Sequence, residues 1–300
     1  MWTPGRLWSS IVSSTQHALK TGALMPISTE TSWITDSGID FQIRVVSSLR
    51  HKREAGKREE DKASAGQKRP NPFLPYEKDM FVSDITPSHL CLLNKFNVID
   101  YHLLIVTREF EDQEMLLTLR DFEAVWMCMA EFEGLAFYNG GVVAGASQPH
   151  KHLQMVPLPI GDRGCSLPID PLIRSSQADG LLRYSRELPF IHSIAFLDRS
   201  IAGYPGDAAE VTHQLYRMML KKTGLNEVAQ LTEEKQSGPY NLLFTRDWML
   251  LVKRSTEFFG TISVNALGFA GGLLARDDQE MKLIRDSGPM TILRHTAAAD

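Results

Sequence analysis

The chain has 300 residues, of which 43% are hydrophobic and 23% are charged, and its formal net charge is -4. This composition is ordinary for a globular protein of one large or two moderate domains, with no general attraction to nucleic acid or to an anionic membrane. Three widely spaced cysteines fit no disulfide framework or CxxC clip, and no apolar run is long enough to span a membrane, which predicts a cytoplasmic protein.

The first predicted elements are a helix and a strand. Residues 1–24 lack the continuous apolar core and the cleavage site of a secretory signal. In this segment, apolar residues recur at roughly helical spacing and predict a docking helix. Its apolar side is formed by Trp8, Ile11, Val12 and Leu19. DFQIRVVSSL (residues 40–49) predicts a strand. Residues 50–69 are dense in charge and lack large aliphatic side chains, which predicts a mobile loop.

A β-hairpin, a helix and two further strands follow. HLCLLNKFNV (residues 89–98) and HLLIVTREF (residues 102–110) are extended apolar segments that predict the hairpin. Thr118 and Asp121 are spaced as in a capping box and predict the start of an amphipathic helix. The predicted buried stripe of this helix consists of Phe122, Val125, Trp126, Met129 and Phe132. LAFYNGG (residues 135–141) and HKHLQMVPLP (residues 150–159) predict the two strands.

The second half of the chain again alternates predicted strands, short turns and helices. Residues 161–185 are rich in Gly, Asp and Pro and predict a connector between an N-terminal half, residues 1–160, and a C-terminal half, residues 186–300. That half contains a predicted strand (FIHSIAFL), a helix over residues 206–222, a hairpin (YNLLFTRDWMLLVKRS) and a final helix. The apolar stripe predicted for the 206–222 helix is Val211, Leu215, Met218 and Met219. Strands joined by short turns predict an α+β fold with an antiparallel sheet flanked by helices.

Side chains able to act in catalysis or ligand binding are most concentrated in GASQPHKHLQMVPLP, residues 145–159. Alternate side chains of a strand share a face, so His150, His152 and Gln154 should point one way. The other face then carries Lys151, Leu153 and Met155. A row of polar groups opposite an apolar face, reached through a small-residue turn, is what the floor of a site requires.

Three interpretations of this strand compete. It could be a polar strand edge that faces solvent. It could be a site for zinc or another metal, in which case the third ligand must come from elsewhere, because the neutral amide of Gln154 is a poor metal ligand. It could also be a nucleophilic imidazole that attacks phosphorus. The lead-in GASQP favours the third, because small residues let backbone N–H groups approach anionic oxygens and Ser147 and Gln148 add donors.

The pattern G-x-S-x-P-H-x-H-x-Q resembles the active-site motif of the histidine-triad (HIT) superfamily, in its galactose-1-phosphate uridylyltransferase-like (GalT-like) branch. Within that branch the chain is similar to the ATP adenylyltransferases, also called diadenosine tetraphosphate (Ap4A) phosphorylases. Five separated blocks carry the resemblance, at residues 92–113, 137–141, 147–154, 240–255 and 263–274. It implies a HIT-like fold and covers the chain from about residue 40 to about residue 295.

The resemblance also implies a reaction. His152 would attack the α-phosphate of Ap4A to form a covalent AMP-histidine and release ATP, and inorganic phosphate would then take the AMP as ADP. A neutral imidazole suits this role near pH 7. The backbone carbonyl of His150 can accept a hydrogen bond from the other ring nitrogen, and Gln154 can donate to a phosphate oxygen. His150, His152 and Gln154 are therefore the expected catalytic residues.

Further residues are expected to bind the nucleotide and its phosphates. The motif assigns the α-phosphate and ribose side to Asn139, Gly145, Ser147 and Gln148, together with Ala146, where relatives carry a serine and this chain lacks its hydroxyl. Lys95, in LLNKF, is a further candidate cation for the phosphates, and Asn94 beside it is the more favoured ligand contact. Lys52, in the predicted mobile loop, and Arg276, where relatives have a lysine, would supply cations for the polyphosphate.

A divalent cation, Mg²⁺ in our expectation, would neutralise the polyphosphate while substrate oxygens hold it. The expected partners are dinucleoside polyphosphates, ATP, ADP and phosphate, with no nucleic acid and no membrane, and the protein is expected to be a monomer or homodimer. Three alternatives use the same pocket: a dinucleoside polyphosphate hydrolase, a nucleotide-sugar phosphorylase, and a non-catalytic nucleotide-binding protein.

Overall fold

The computed structural model describes residues 2–46, 71–161, 163–225 and 235–299. The predicted mobile loop at 50–69, and Lys52 within it, lie outside the described residues. Among the described residues, no helix combines the length and the apolar character that a membrane crossing requires.

A ten-stranded sheet in which every neighbouring pair is antiparallel forms the centre of the described fold. Its strand order is β3-β4-β5-β7-β6-β11-β12-β10-β9-β8. The strands are β3 (Phe81–Asp84), β4 (His89–Leu93), β5 (Leu103–Thr107), β6 (Gly134–Gly140), β7 (His152–Pro157), β8 (Gln177–Asp179), β9 (Leu182–Tyr184), β10 (His192–Phe196), β11 (Tyr240–Phe244) and β12 (Trp248–Lys253).

One face of this sheet is covered by three helices, α1 (Leu7–Thr21), α2 (Leu119–Glu131) and α4 (Pro205–Lys222). They bury alternate residues of the strands, such as Leu103, Leu153 and Leu251, in a continuous apolar cluster. Helix α2 begins with the predicted capping box, in which the Thr118 and Asp121 side chains bond each other's backbone N–H groups. Such a cap stabilises a helix start by about 1 kcal/mol.

The opposite face is covered over part of its area by a second layer. This layer contains a three-stranded sheet, in which β1 (Thr29–Asp36) pairs with β2 (Ile39–Val46) and β2 pairs in parallel with β15 (Gly272–Ala275). It also contains α3 (Asp170–Arg174), α5 (Ala266–Phe269), α6 (Asp278–Ser287), α7 (Pro289–Thr296) and the short hairpin of β13 (Phe258–Phe259) and β14 (Ile262–Ser263). A second apolar cluster fills the space between the layers, and β4 and β5 lie outside it.

The structure confirms the predicted α+β class, both hairpins and the strand at β7. Three expectations about local detail were wrong in whole or in part. On α1, Ile11 is buried, whereas Trp8 and Leu19 of the predicted apolar side are exposed. The expected stripe on α4 was half right. Met219 is buried and Leu215 packs partly buried against the core, whereas Val211 and Met218 are exposed and Thr212 and Tyr216 are buried instead. The single predicted final helix is two helices, since Gly288 with a φ of 82° separates α6 from α7.

The two halves of the chain join edge to edge in one sheet. Strand β6 from the first half pairs with β11 from the second half, with Asn139 opposite Asn241. The expected connector, residues 161–185, contributes helix α3 and the edge hairpin β8-β9. The proposed division of the chain into 1–160, 161–185 and 186–300 remains a prediction about folding units.

Candidate active site

His152 is the first residue of β7, between β5 and β6, and only 3% of it is exposed. Its Nδ1 donates a hydrogen bond of 2.8 Å to the backbone carbonyl of His150, as the sequence suggested. The proton is therefore on Nδ1, and Nε2 carries the lone pair. His152 lines a cavity of about 210 Å³ with Gln154, Ser147 and Gln148, and no described residue gives Nε2 a hydrogen-bond partner.

Burial lowers the pKa of His152 to about 4, although the hydrogen bond to the His150 carbonyl opposes this shift. An imidazole with that pKa is neutral near pH 7 and keeps its lone pair. The side chain thus has the protonation state and the tautomer of a nucleophile, or of a general base.

Gln154 is held by a residue that the sequence reasoning missed. His102 Nε2 donates to Gln154 Oε1 at 2.9 Å, while Asn94 Nδ2 donates to His102 Nδ1 at 3.2 Å. Burial lowers the pKa of His102 to about 4, so this imidazole is neutral and carries one proton. The Gln154 amide oxygen is thereby occupied, and its NH₂ group is the end that can donate to a ligand in the cavity.

A signal for His102 was present in the sequence. It stands two residues before Leu104, which pairs with Gln154, so the alternation of β5 puts His102 on the same face as the site. A lone polar residue at the start of an apolar strand was not enough to identify it without the pairing register.

The turn between β6 and β7 forms one side of the cavity. Gly145 adopts a φ of +90°, and a Cβ there would come within 2.8 Å of the Asn265 Cβ, so both conformation and space require glycine. The N–H of Ala146 donates to the Gly141 carbonyl at 3.1 Å and closes the turn. Ser147 and Gln148 follow and line the cavity.

The opposite side of the cavity is apolar. Phe73, Leu92 and Leu104 line it and belong to a small buried cluster of their own. The ring centroid of Phe73 lies 5.4 Å from that of His152. Asn94 and Lys95 lie at the rim, where Lys95 forms an ion pair of 2.7 Å with Glu77. An apolar pocket with a polar rim beside a nucleophile can bind a nucleoside and present its phosphate.

The His150 imidazole does not line this cavity. Its Nε2 donates to the Thr107 carbonyl at 2.9 Å, and its Nδ1 accepts from Asn71 Nδ2 at 2.9 Å. Both ring nitrogens are therefore occupied, and the structure gives the carbonyl of His150, rather than its ring, the contact with the expected nucleophile. The expected contact of the His150 carbonyl is therefore present, and a catalytic role for His150 remains a prediction that rests on this carbonyl.

Asn139 lies on β6, on the same face as Gln154. Its Oδ1 accepts hydrogen bonds from Asn241 Nδ2 at 2.8 Å and from the Ala266 N–H at 3.0 Å. This oxygen therefore joins the end of β6 to β11 and α5. Only the Asn139 amide NH₂ group could serve a ligand, so its assignment to phosphate binding remains a prediction.

Arg276 is not part of the cavity that contains His152. It lines a second cavity of about 210 Å³ with Arg44, Thr261 and Asn265, and it pairs with Glu280 on helix α6. The two cavities adjoin the same turn, because Asn265 packs against Gly145. Sequence reasoning missed Arg44, whose guanidinium donates to the Ile160 carbonyl at 3.2 Å and whose pKa burial lowers.

A metal interpretation gains no support from the side-chain geometry. Across residues 2–46, 71–161, 163–225 and 235–299, no group of three or more His, Cys, Asp or Glu side chains is placed to hold a metal ion. The imidazoles of His150 and His152 do not converge, since each has its own backbone partner.

Behind the site, Lys151 is fully buried among charged groups. Its Nζ lies 2.8 Å from Asp121 Oδ2 and donates to the Leu116 carbonyl at 3.0 Å. Burial raises the pKa of the Asp121 carboxyl, but the hydrogen bond from His89 Nε2 at 3.0 Å and the charge of Lys151 outweigh burial and hold this pKa far below its usual range. The alternation predicted for β7 thus places Lys151 on the helix-covered face, as expected.

Two family models match the chain: the Ap4A phosphorylase N-terminal domain over residues 1–175, and the ATP adenylyltransferase C-terminal domain over residues 186–299. The chain is 26% identical over 289 residues to diadenosine 5',5'''-P1,P4-tetraphosphate phosphorylase 2 of Saccharomyces cerevisiae, covering 88% of this chain and 86% of that protein. It is also 26% identical over 308 residues to Protein APA1 of the same yeast, covering 95% and 92%.

Solved structures share the fold. The crystal structure of yeast Ap4A phosphorylase Apa2 superposes with a TM-score of 0.80 and 21% identity, covering 99% of both chains. The complex of Apa2 with Ap4A superposes with a TM-score of 0.75 and 20% identity, covering 99% of this chain and 98% of that one.

Proposed function

The chain belongs to the Ap4A phosphorylase family, and from that premise we propose that it is a nucleotidyltransferase that converts Ap4A and phosphate reversibly into ATP and ADP. The observation that carries the proposal is the hydrogen bond from His152 Nδ1 to the His150 carbonyl. It leaves Nε2 with a free lone pair beside a cavity lined by Phe73, Leu92 and Leu104.

In the first step the His152 Nε2 lone pair forms a bond to the α-phosphorus of Ap4A. The bond from that phosphorus to its bridging oxygen breaks, and ATP leaves with the electron pair. The adenylylated imidazole becomes positively charged, and the His150 carbonyl, 2.8 Å from Nδ1, stabilises that charge. The Gln154 NH₂ group, turned toward the cavity by His102, donates to a non-bridging oxygen as charge develops on it.

In the second step an oxygen of inorganic phosphate attacks the same phosphorus. The nitrogen–phosphorus bond breaks, ADP leaves, and Nε2 regains its lone pair. The low pKa of His152 favours the neutral form after each turnover. No proton has to move on or off Nε2 in either step.

We propose that the adenosine of the transferred AMP lies against Phe73, Leu92 and Leu104, with Asn94 at its ribose. The distal half of Ap4A would reach the second cavity, where Arg44 and Arg276 offer guanidinium groups to phosphate. Lys52 would add a further cation, as would Lys95 once it separates from Glu77.

A divalent cation, Mg²⁺ in our proposal, would arrive as part of the polyphosphate substrate. Glu77 is the carboxylate among the described residues that line the His152 cavity, and it is paired with Lys95. A single engaged carboxylate is a weak site for Mg²⁺, which prefers several oxygen ligands. The substrate oxygens would therefore hold the ion.

We also propose a cytoplasmic location and a monomeric or homodimeric state. Cys91 and Cys128 are buried free thiols and Cys165 is an exposed one, a pattern that suits a reducing compartment.

The proposal is tested by separating the products made from Ap4A with and without phosphate. We expect repeated turnover to ATP and ADP only with phosphate present, and without phosphate we expect at most one ATP per protein molecule and no ADP. AMP in the absence of phosphate would indicate a hydrolase, and turnover of a nucleotide sugar in preference to Ap4A would indicate a sugar-nucleotide phosphorylase. Mass analysis after incubation with Ap4A alone should find one adenylyl group on the peptide containing residues 147–155.

The matched variants are His152→Ala and His17→Ala, the second at an exposed histidine paired with Asp79. We expect His152→Ala to lose adenylylation and turnover while His17→Ala keeps both. Binding of Ap4A without turnover by the unaltered protein would favour a non-catalytic nucleotide-binding protein instead.

A further inference from the structure

We infer that Gln113 is a positioning residue for the adenylyl-transfer step, and that its side-chain amide acts as the missing strand partner of His152. The inference rests on the proposed function, because it concerns the aim of the His152 lone pair. Gln113 does not line the His152 cavity and is 2% exposed.

The sheet pairing stops short of the nucleophile on one side. Strands β6 and β7 pair from Gly134 opposite Pro157 to Phe137 opposite Gln154, and the register ends there. On the other side, β5 pairs with β7 as far as Val106 opposite His152. The backbone of the nucleophile therefore lacks a regular partner on the β6 side.

The amide of Gln113 fills this position. Its Oε1 accepts from the His152 N–H at 2.8 Å, and its Nε2 donates to the His152 carbonyl at 3.2 Å and to the Asn139 carbonyl at 3.0 Å. One primary amide thus provides the acceptor and the donor that a peptide group would provide in a β-ladder. It also joins β7 to the diverging end of β6.

Gln113 is itself fixed by its backbone. Its N–H donates to the Pro149 carbonyl at 2.8 Å, and its carbonyl accepts from the Tyr138 hydroxyl. The His150 carbonyl that orients the nucleophilic ring lies between Pro149 and His152, and Gln113 bonds to both of those residues. A shift in this short segment would turn the ring, and small misalignments of a reacting atom strongly reduce the rate.

The test compares Gln113→Met, which keeps the length of the side chain and removes its hydrogen bonds, with Gln236→Met. Gln236 is the matched control because its Nε2 also donates to a carbonyl at the end of β6, that of Gly140 at 2.9 Å, without contacting β7. In single-turnover release of ATP from Ap4A, we expect Gln113→Met to lower the maximal rate about a hundredfold. We expect half-saturation to change less than about threefold, since the substrate contacts remain.

A further variant separates positioning from general folding. In Gln113→Glu, a protonated carboxyl can accept and donate as the amide does, whereas the carboxylate repels the two carbonyl oxygens. Burial and the flanking Asp112 carboxylate raise the pKa of this carboxyl, whereas the charge of Glu114 is offset by its ion pair of 2.9 Å with Lys235. The other titratable groups nearby are the imidazoles of His150 and His152 and the Tyr138 hydroxyl, and burial lowers the pKa of both imidazoles and raises that of the hydroxyl.

We therefore expect the rate of Gln113→Glu, relative to the unaltered protein, to rise as the pH falls from 8 to 6, while the ratio for Gln113→Met stays constant. A Gln113→Met rate within about threefold of the original, an equal loss in Gln236→Met, or a constant Gln113→Glu ratio would each overturn the inference. If the unaltered protein released no ATP from Ap4A, the proposed function would fail instead.

Discussion

The rate of adenylyl transfer at acidic pH tests whether the nucleophile is an imidazole that burial keeps neutral. The pKa of His152 is lowered to about 4, against about 6.5 for histidine in water. At pH 5.5 a pKa of about 4 leaves roughly 97% of the side chain neutral, whereas a pKa of 6.5 would leave roughly 9%. We therefore expect the rate of adenylyl transfer at pH 5.5 to stay within about 20% of its rate at pH 7.5.

The assay is single-turnover release of ATP from Ap4A in the absence of phosphate, so that titration of the second substrate does not enter. Tryptophan fluorescence at each pH confirms that the protein remains folded. An acid limb with its midpoint near pH 6.5 in the folded protein would refute the reasoning, because it would mean that His152 is hydrated and not desolvated by the cavity wall.

Three further predictions concern stability. Burial lowers the pKa values of His102 and His152 to about 4, below the value in the unfolded chain. The free energy of unfolding should therefore fall as the pH drops from 6.5 to 4, by roughly 3 kcal/mol for each histidine at pH 4. Urea titrations across this pH range measure the loss. Lys151→Met leaves the Asp121 carboxylate buried without its cation and should lower the free energy of unfolding by about 3–5 kcal/mol in chemical denaturation. The control Lys95→Met, at an exposed ion pair, should lower it by less than about 1 kcal/mol. Equal losses in the two variants would contradict the prediction. Gly145→Ala and Gly38→Ala should each cost about 1–2 kcal/mol of unfolding free energy, because both glycines have positive φ. Gly145→Ala should cost more and should also slow turnover, because only its Cβ would clash with a neighbour, the Asn265 Cβ at 2.8 Å.

Much of the fold was accessible from local patterns. The alternation in β7, the capping box before α2 and both hairpins depend on residues close in sequence, and the structure confirms them. The predicted stripe of α4 was only half right, because apolar side chains alone do not say which face packs. Thr212 and Tyr216 are buried there through hydrogen bonds to Trp126 and Tyr240, which lie far away along the chain.

The candidate site divides in the same way. The histidine motif predicted a nucleophile with a fixed tautomer, since His152 and the carbonyl that orients it are two residues apart. His102 and Gln113 were missed because each acts on β7 from another segment, and no spacing rule links a residue to a partner 39 or more positions away. Arg276 was expected to reach the distal phosphates from its place in the resemblance, and only the structure could show that it lines the second cavity and not the cavity of His152.

By itself, the sequence determined what each short segment can become and which residue types are available for chemistry, because strand alternation, turn formation and imidazole reactivity are local properties. Only the tertiary structure decided which groups meet. It lowered the pKa of two imidazoles by burying them, turned the Gln154 amide by placing His102 beside it, and aligned the His152 backbone through Gln113. Desolvation and long-range hydrogen bonds arise when distant segments pack, and no window of sequence contains both partners.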